Sequence, residues 1–598
     1  MAEELLIGLA SIVVLGVLAQ WIAWRVHLPA ILLLLIFGFA AGPGFGILHP
    51  DEIFGDLLFP LVSASVAIIL FEGGLSLKIA ELRKVGHVVR NLTTTAILVT
   101  WVLAALGAYY IVGIEIGPAI LLGAILVVSG PTVIIPLLRQ IRPTGNVGSI
   151  VKWEGIVNDP IGAILAVLVF EVLLAGGIGE GTTVAILGVA KAAIFGTLIG
   201  FAAAVVVVLL LRRYLIPDFL QNPVALMLVI VAFAAANALQ PESGLLAVTV
   251  MGIVLANQKY VSVHHIVEFK ETLRVLLISS LFIILAARLT SDQLALFSLQ
   301  NWLFVALLIV VVRPVAVWLS TMKNDITWRE RLFLAWMAPR GIVAAAVISV
   351  FAIQLNNTGY PNCDCLVPLA FQVIIGTVAI YGLTAPWLAR WLKLSQPNPQ
   401  GVLFAGAQSW AQDMARALRD ENFPVVLVDS NWANITGARG AGCRAYYENI
   451  LSESLLADIQ LDGIGRLVAL TPNDEVNSLA ALRFANIFGR SEIYQLPARA
   501  GREGHSDKEM PKHLRGRHLF DEKANFAYLL SRFQAGAVVK KTSITEEFPY
   551  SKFLQTYGDE VLPLFVISSS RNLQICTANA KAEPQAGDTI VALVDERS

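Results

Sequence analysis

Polarity divides the chain near residue 395. Before that point, apolar stretches of about 17–25 residues follow one another, separated by short clusters of glycine, proline and charge, and a helix of that length crosses the roughly 30 Å hydrocarbon core of a bilayer. The runs fall at 4–24, 28–47, 53–77, 91–112, 116–138, 148–175, 183–211, 222–238, 241–257, 272–288, 300–320, 328–354 and 366–391, which predicts thirteen membrane helices with the termini on opposite sides. The first run follows Met-Ala-Glu-Glu and has neither a basic leader nor a clear small-residue cleavage site, so it reads as a membrane helix and not as a removed signal.

After residue 400 the pattern changes to short buried-strand runs alternating with helical periodicity: 401–406, 424–429, 442–446 and 466–471 are the strands. That alternation predicts a parallel, Rossmann-like α/β domain over 400–540. Strand-like runs with a Pro584-Gln-Ala-Gly-Asp588 turn predict a small β-rich domain over 560–598. The fold class is therefore a polytopic α-helical membrane protein, with a membrane domain over 1–395 and a cytoplasmic α/β domain plus a β-rich appendix behind it.

Charge sets the orientation. One set of alternate loops carries Arg25, the 78–90 cluster, Arg139, Arg142, Lys152, Arg212, Arg213, Lys259, Lys270, Arg274, Lys323, Arg329, Arg331, Arg390 and Lys393, while the other carries Asp51, Glu52, Glu115, Glu180 and Glu242, with Arg288 its main basic residue. The positive-inside rule makes the first set cytoplasmic, with the N-terminus outside and the C-terminal domains in the cytoplasm of a cell whose inner, plasma membrane holds the chain. A net charge of −1 and the lack of a basic tail exclude a nucleic-acid partner. Four cysteines are too few for a disulfide framework; Cys363 and Cys365 could bridge within a loop, and no metal cluster surrounds them.

The candidate chemistry lies where polar groups interrupt the membrane runs. Ser129-Gly130-Pro131-Thr132 breaks the fifth run and Ala338-Pro339-Arg340-Gly341 the twelfth. Each proline removes a backbone donor, so discontinuous helices are expected at matching places in two inverted repeats, the arrangement that marks a transporter's binding site. Asp159 lies inside the sixth run, and a buried carboxylate that can hold either a proton or a cation makes the two compete for one site. Asn158 offers an amide oxygen, and Thr132 a hydroxyl at the break. Glu154 stands one helical turn before Asn158, and Arg340 is the charge expected to pair with it, with Asp159 left as the exchanger; spacing leaves the reverse assignment open. Glu72 precedes Gly73-Gly74 and is a second carboxylate for the cation, or an interfacial residue. Lys191 and Arg313 read as snorkelling or locally paired residues, and His264 and His265 as a loop site with pH-sensing chemistry or as ordinary surface.

In the soluble part, Gly406 ends the first strand and Asp429 the second, where a dinucleotide fold places its phosphate turn and its ribose-reading acid. Only the first glycine of the Gly-x-Gly-x-x-Gly pattern is present. Gln408 and Trp410 stand in the loop and are expected to crowd a pyrophosphate, which favours a mononucleotide over NAD.

Phe71-Glu-Gly-Gly-Leu-Ser-Leu77, Ser129-Gly-Pro-Thr-Val133, Glu154-Gly-Ile-Val-Asn-Asp159 and Pro339-Arg-Gly-Ile-Val-Ala344 together resemble the monovalent cation:proton antiporter 1 family, the electroneutral sodium/proton exchangers. The resemblance covers residues 1–395. It implies a homodimer, a mobile core bundle with two crossing discontinuous helices, Asp159 as carrier beside Asn158, oxygens from Thr132 and Glu72, and a Glu154–Arg340 pair. Gly155 departs from a family position that can hold serine, which puts the preference for Na⁺ over K⁺ in doubt. The last 200 residues resemble the nucleotide-binding modules that regulate potassium channels and transporters, implying AMP, ATP or NAD(H) as a regulatory ligand and no cofactor required for transport.

The leading expectation is Na⁺/H⁺ exchange, a secondary transport and not an enzymatic reaction, with K⁺/H⁺ exchange next. A channel lacks a carbonyl filter repeat here. A redox membrane enzyme lacks intramembrane histidines, and ATP hydrolysis lacks a Gly-x-x-x-x-Gly-Lys loop.

Overall fold

The computed structural model describes the chain except residues 1, 27, 175–177, 262, 290–297, 358–364, 396–398, 453–454, 456–458, 460, 462, 499–514, 559, 581–582 and 596–598. Cys363 and the side chains of His264 and His265 lie outside the described residues. The chain forms two compact units, Met1–Ser395 and Gln396–Ser598.

The first unit is helical. Among the described residues, eight helices are long and apolar enough to cross a membrane, and four shorter apolar ones accompany them. The runs at 116–138 and 328–354 are each two helices: Ile116–Ile125 and Pro131–Ile141, then Trp328–Trp336 and Ile342–Asn357. Pro131 is the first residue of its half-helix, where its missing N–H costs nothing, and Gly130 before it is extended (φ −101°, ψ 90°). Met337 is likewise extended as its helix stops (φ −101°, ψ 97°). The two extended segments cross: the Gly130 amide donates to the Pro339 carbonyl at 2.9 Å.

Two expectations about polar stretches need correction. Residues 78–90, read as a loop, form the helix Ile79–Leu92, which buries Val85, Val88, Val89 and Leu92. That i, i+3, i+4, i+7 stripe is an amphipathic face that basic residues on the other side had masked. Arg274, also counted to a loop, is buried within the helix His264–Ala287. A short charged stretch directly before an apolar run leaves the helix start ambiguous in sequence.

The second unit holds two sheets. β1 (Gly401–Ala405), β2 (Val425–Asp429), β3 (Arg444–Tyr447), β4 (Ile464–Ala469), β5 (Ile493–Gln495) and β6 (Arg517–His518) form one parallel sheet in the order β3-β2-β1-β4-β5-β6. This is the doubly wound order, with its switch point between β1 and β4. β7 (Ala537–Ser543), β8 (Leu562–Ile567), β9 (Leu573–Ile575) and β10 (Thr589–Asp595) form an antiparallel sheet in the order β7-β10-β8-β9. The small sheet therefore starts at Ala537, not at 560, because β7 pairs along its whole length with the last strand. Trp410 is buried and packs on Phe526 and Phe533, with ring centroids 5.8 and 5.9 Å away. It fills a core shared by the helix after β1 and the small sheet, so it does not crowd the phosphate turn as expected.

Candidate ion-binding site

The helix Val147–Leu174 carries Glu154, Asn158 and Asp159, all buried. The segment Val128–Ile134 lies along it. Ser129 donates its hydroxyl to the Gly155 carbonyl at 3.2 Å; a Cβ on Gly155 would stand 2.6 Å from Ile134 Cδ1, and one on Gly162 2.6 Å from Val128 Cγ2. Thr132 lies between these contact points in sequence, and Asp159 between Gly155 and Gly162, so the break in one helix is held against the carboxylate turn of the other. Pro160 lends no N–H, which leaves the Ile156 carbonyl without its helical donor one residue before the Val157-Asn158-Asp159 turn.

Within this region both carboxylate oxygens of Asp159, Oδ1 of Asn158 and Oγ1 of Thr132 are buried and have no hydrogen-bond partner among the described residues. Buried polar atoms are almost always paired. Four orphaned oxygens, two of them on one acid, are the chemistry that a proton or a small cation could satisfy, while the positive N-terminal end of the Pro131–Ile141 half-helix favours the ionised acid. No cluster of three or more His, Cys, Asp or Glu exists among the described residues.

The arginines are arranged differently from the expectation. Glu154 is paired with Arg313, not with Arg340: Arg313 Nη1 and Nη2 donate to its two carboxylate oxygens at 2.5 and 2.9 Å. Arg313 follows a five-residue π-turn, Leu308–Val312, and precedes Pro314. That irregularity re-aims the side chain into the unit, and Arg313 Nε also donates to the Leu334 carbonyl at 3.0 Å. Arg340 donates instead to the carbonyls of Val127 and Val128 at 3.2 and 3.3 Å. Each arginine thus satisfies carbonyls at the negative C-terminal end of a half-helix stopped inside the unit. A small cavity of about 20 Å³, room for a water molecule, lies among Glu154, Asn158, Arg313, Arg340, Ser129 and Thr100.

Glu72 is engaged by a basic residue on another helix. Its Oε1 accepts from Arg274 Nη1 at 2.6 Å. Sequence reasoning also missed Gln372 in the helix Leu366–Trp391, fully buried with both amide atoms unpartnered among the described residues. An amide inside an apolar run was its only signal.

In the second unit, Gly406 has φ +112°, a conformation that favours glycine. Asp429 accepts from the Ala407 amide (2.8 Å), the Asn431 amide (2.8 Å) and Asn434 Nδ2 (2.9 Å). The acid expected to read a ribose is engaged by its own loop, and Gln408 occupies the second-glycine position.

Residues 9–391 match the family described as sodium/hydrogen exchanger, transmembrane, and residues 402–509 match the TrkA-N domain. The chain is 28% identical over 403 residues to the K(+)/H(+) antiporter NhaP of Alkalimonas amylolytica, covering 65% of this chain and 68% of that one. It is 25% identical over 432 residues to the K(+)/H(+) antiporter NhaP2 of Shewanella oneidensis (71% and 73% covered), and 25% identical over 401 residues to a probable Na(+)/H(+) antiporter of Methanocaldococcus jannaschii (63% and 93%). The structure of the sodium proton antiporter MjNhaP1 from Methanocaldococcus jannaschii at pH 8 superimposes with a TM-score of 0.58 over 65% of this chain and 99% of that one, at 23% identity, and so shares its fold. With two interrupted helices flanking an unpartnered intramembrane acid, and the family match running through all of them, the chain belongs to the sodium/hydrogen exchanger transmembrane family, as a secondary cation/proton antiporter joined to a TrkA-N-like C-terminal domain.

Proposed function

We propose that the chain exchanges K⁺ for H⁺ at Asp159 by alternating access. The observation that carries this reading is the set of unpartnered oxygens on Asp159, Asn158 and Thr132 beside the crossed helix breaks. Asp159 holds one proton or one monovalent cation, so a full cycle moves no net charge. Bound cation and bound proton exclude each other, and that competition couples the two fluxes. Asn158 and Thr132 add neutral oxygens. The pairs Arg313–Glu154 and Arg274–Glu72 are internally neutral and leave Asp159 as the carrier.

K⁺ is preferred to the Na⁺ of the sequence expectation because the relatives with greater coverage of this chain are named K(+)/H(+) antiporters. The site chemistry agrees. Gly155 offers no hydroxyl, and Ile134 fills the space where one would stand. A site short of fixed oxygens penalises the more strongly hydrated Na⁺. Na⁺/H⁺ exchange is the second reading, favoured by the Methanocaldococcus relative's name.

The wider reading is thirteen crossings in two inverted repeats, a homodimer, an inner (plasma) membrane location, and an N-terminus outside with the C-terminal unit in the cytoplasm. Regulation by that unit through AMP, ATP or NAD(H) belongs to the same reading, with the self-engaged Asp429 favouring a mononucleotide. The test is proton movement in proteoliposomes at clamped voltage on adding KCl or NaCl. K⁺-driven flux that vanishes in Asp159→Asn supports the assignment; normal exchange by Asp159→Asn sinks it, and a response to NaCl alone transfers it to Na⁺.

A further inference from the structure

The small cavity beside the ion site poses a hydrogen-bonding problem that its lining residues do not solve among themselves. Of that lining, Arg313 and Arg340 can only donate, Glu154 takes both terminal nitrogens of Arg313, and Ser129 gives its proton to the Gly155 carbonyl. Asn158 is buried and its side chain has no hydrogen bond to any described residue, so its amide nitrogen lacks an acceptor, and neither arginine can be one. Thr100, in the helix Thr95–Gly107, is the other uncommitted group. Hydroxyls inside helices commonly bond back one turn. Here Thr249, Thr321 and Thr377 do so, to the carbonyls of Leu245, Val317 and Val373 at 2.7, 2.7 and 2.8 Å. The hydroxyl of the buried Thr100 has no partner among the described residues, and the residue lines the cavity.

A volume of about 20 Å³ admits one water molecule, and a buried water is held where a few polar partners converge. We propose that Thr100 is a positioning residue of the ion site: it anchors one water in this cavity, and that water fixes the Asn158 amide. The water accepts from Asn158 Nδ2 and donates to Thr100 Oγ1 and to Glu154, whose carboxylate oxygens have lone pairs beyond those that take Arg313. With its nitrogen so held, the amide cannot swing an N–H toward a cation, and Oδ1 stays available as a neutral ligand. Gly155 lines the same cavity and brings no side chain, which leaves Thr100 the free hydroxyl that can hold the water.

The inference rests on Asp159 and Asn158 as the exchange site. Full-length wild type, Thr100→Val, Thr100→Ser, Thr100→Ala and Asp159→Asn are compared in proteoliposomes, with KM and Vmax taken for K⁺ and Na⁺ at one alkaline pH, where protons compete least for Asp159. Thr100→Val keeps the shape and removes the hydroxyl, so the water is lost: KM for the transported cation rises roughly fivefold, the worth of one net hydrogen bond, with Vmax within about twofold of wild type. Thr100→Ser keeps the hydroxyl and holds KM within about twofold. Thr100→Ala leaves room for a second water in the hydroxyl's place, so its KM lies below that of Thr100→Val. A packing role gives the opposite order, since the larger hole left by alanine then does the greater harm. Thr100→Val at wild-type KM overturns the proposal, whether or not Vmax falls. So does a KM for Thr100→Ala above that of Thr100→Val, or a Thr100→Ser protein as impaired as Thr100→Val. If Thr100→Val does not yield a monodisperse protein, Thr100→Cys replaces it: its weakly bonding thiol raises KM by a smaller factor, and a KM at or below wild type overturns the proposal. Exchange by Asp159→Asn, by contrast, defeats the underlying reading, whatever the Thr100 variants do.

Discussion

Arg313 holds Glu154 through both terminal nitrogens while its Nε donates to the Leu334 carbonyl, so one guanidinium joins the site helix to the end of a half-helix. Removing one partner strands a buried charge, which costs about 3–5 kcal/mol. Glu154→Gln and Arg313→Gln are each expected to lower the melting temperature of the detergent-solubilised protein sharply, and the double variant by clearly less than the sum of the two. Exchange surviving in the double variant would agree with Glu154 as a structural anion and Asp159 as the carrier.

Gly130 and Gly341 meet at the crossing of the two breaks. A Cβ on Gly341 would stand 2.5 Å from Gly130 Cα, and one on Gly130 2.8 Å from Gly341 Cα. Both obstacles are backbone, so no rotamer change relieves them. Gly341→Ala is expected to cost roughly 1–3 kcal/mol of stability by overpacking, and to abolish exchange by spreading the crossing that holds Thr132 near the site. Full exchange by a stable Gly341→Ala protein would show that the close crossing is dispensable.

The breaks and Asp159 were legible because each violates a local rule: proline and glycine inside an apolar run, or an acid where lipid-length hydrophobicity continues. The pairing of charges was not legible. Glu154 and Arg313 are 159 residues apart, and no spacing rule links separate helices; the π-turn and Pro314 beside Arg313 were the only local sign that its side chain is re-aimed. Arg274 was miscounted because a basic residue at the edge of an apolar run looks the same in sequence whether it ends a loop or enters a helix. In the second unit the parallel α/β architecture followed from alternating β and α runs, though not its strand order. β7 did not, because Lys540 and Lys541 on an edge strand disguise its pattern. Trp410 looked like an obstacle at a phosphate turn until the core that receives it, supplied partly by Phe526 and Phe533, could be seen.

Asp429 closes the loop after β1. Asp429→Ala leaves the Ala407 and Asn431 amides and the Asn434 side chain without their acceptor, a loss of about 1 kcal/mol because these bonds are part-buried or exposed and water can replace the carboxylate. Hydrogen exchange at the Ala407 amide should accelerate in the variant while β4 and β5 keep their protection. Because Asp429 serves its own loop, NADH added to the wild type should leave exchange at Ala407 unchanged; strong protection there would mean that a dinucleotide does seat over this turn.

Cys576 follows β9 and is enclosed by Ile544, Phe553, Val566, Ile590 and Val594. Burial pushes its thiol up to about 12 from an ordinary 9.0. Below pH 9 the thiol is neutral in both folded and unfolded chains and contributes no pH dependence. Between about 9 and 12 the unfolded chain releases the proton first, so stability falls as pH rises, at a limiting slope of about 1.4 kcal/mol per unit for this group. Comparing wild type with Cys576→Ala isolates the effect from other groups that titrate in the same range: the wild type should lose melting temperature faster above pH 9, and the two curves should run parallel below it. The same burial predicts that maleimide at pH 8 labels Cys576 only after unfolding. Rapid labelling of the native chain at that position, or parallel curves throughout, would mean that the thiol is open to solvent and ionises near its ordinary value.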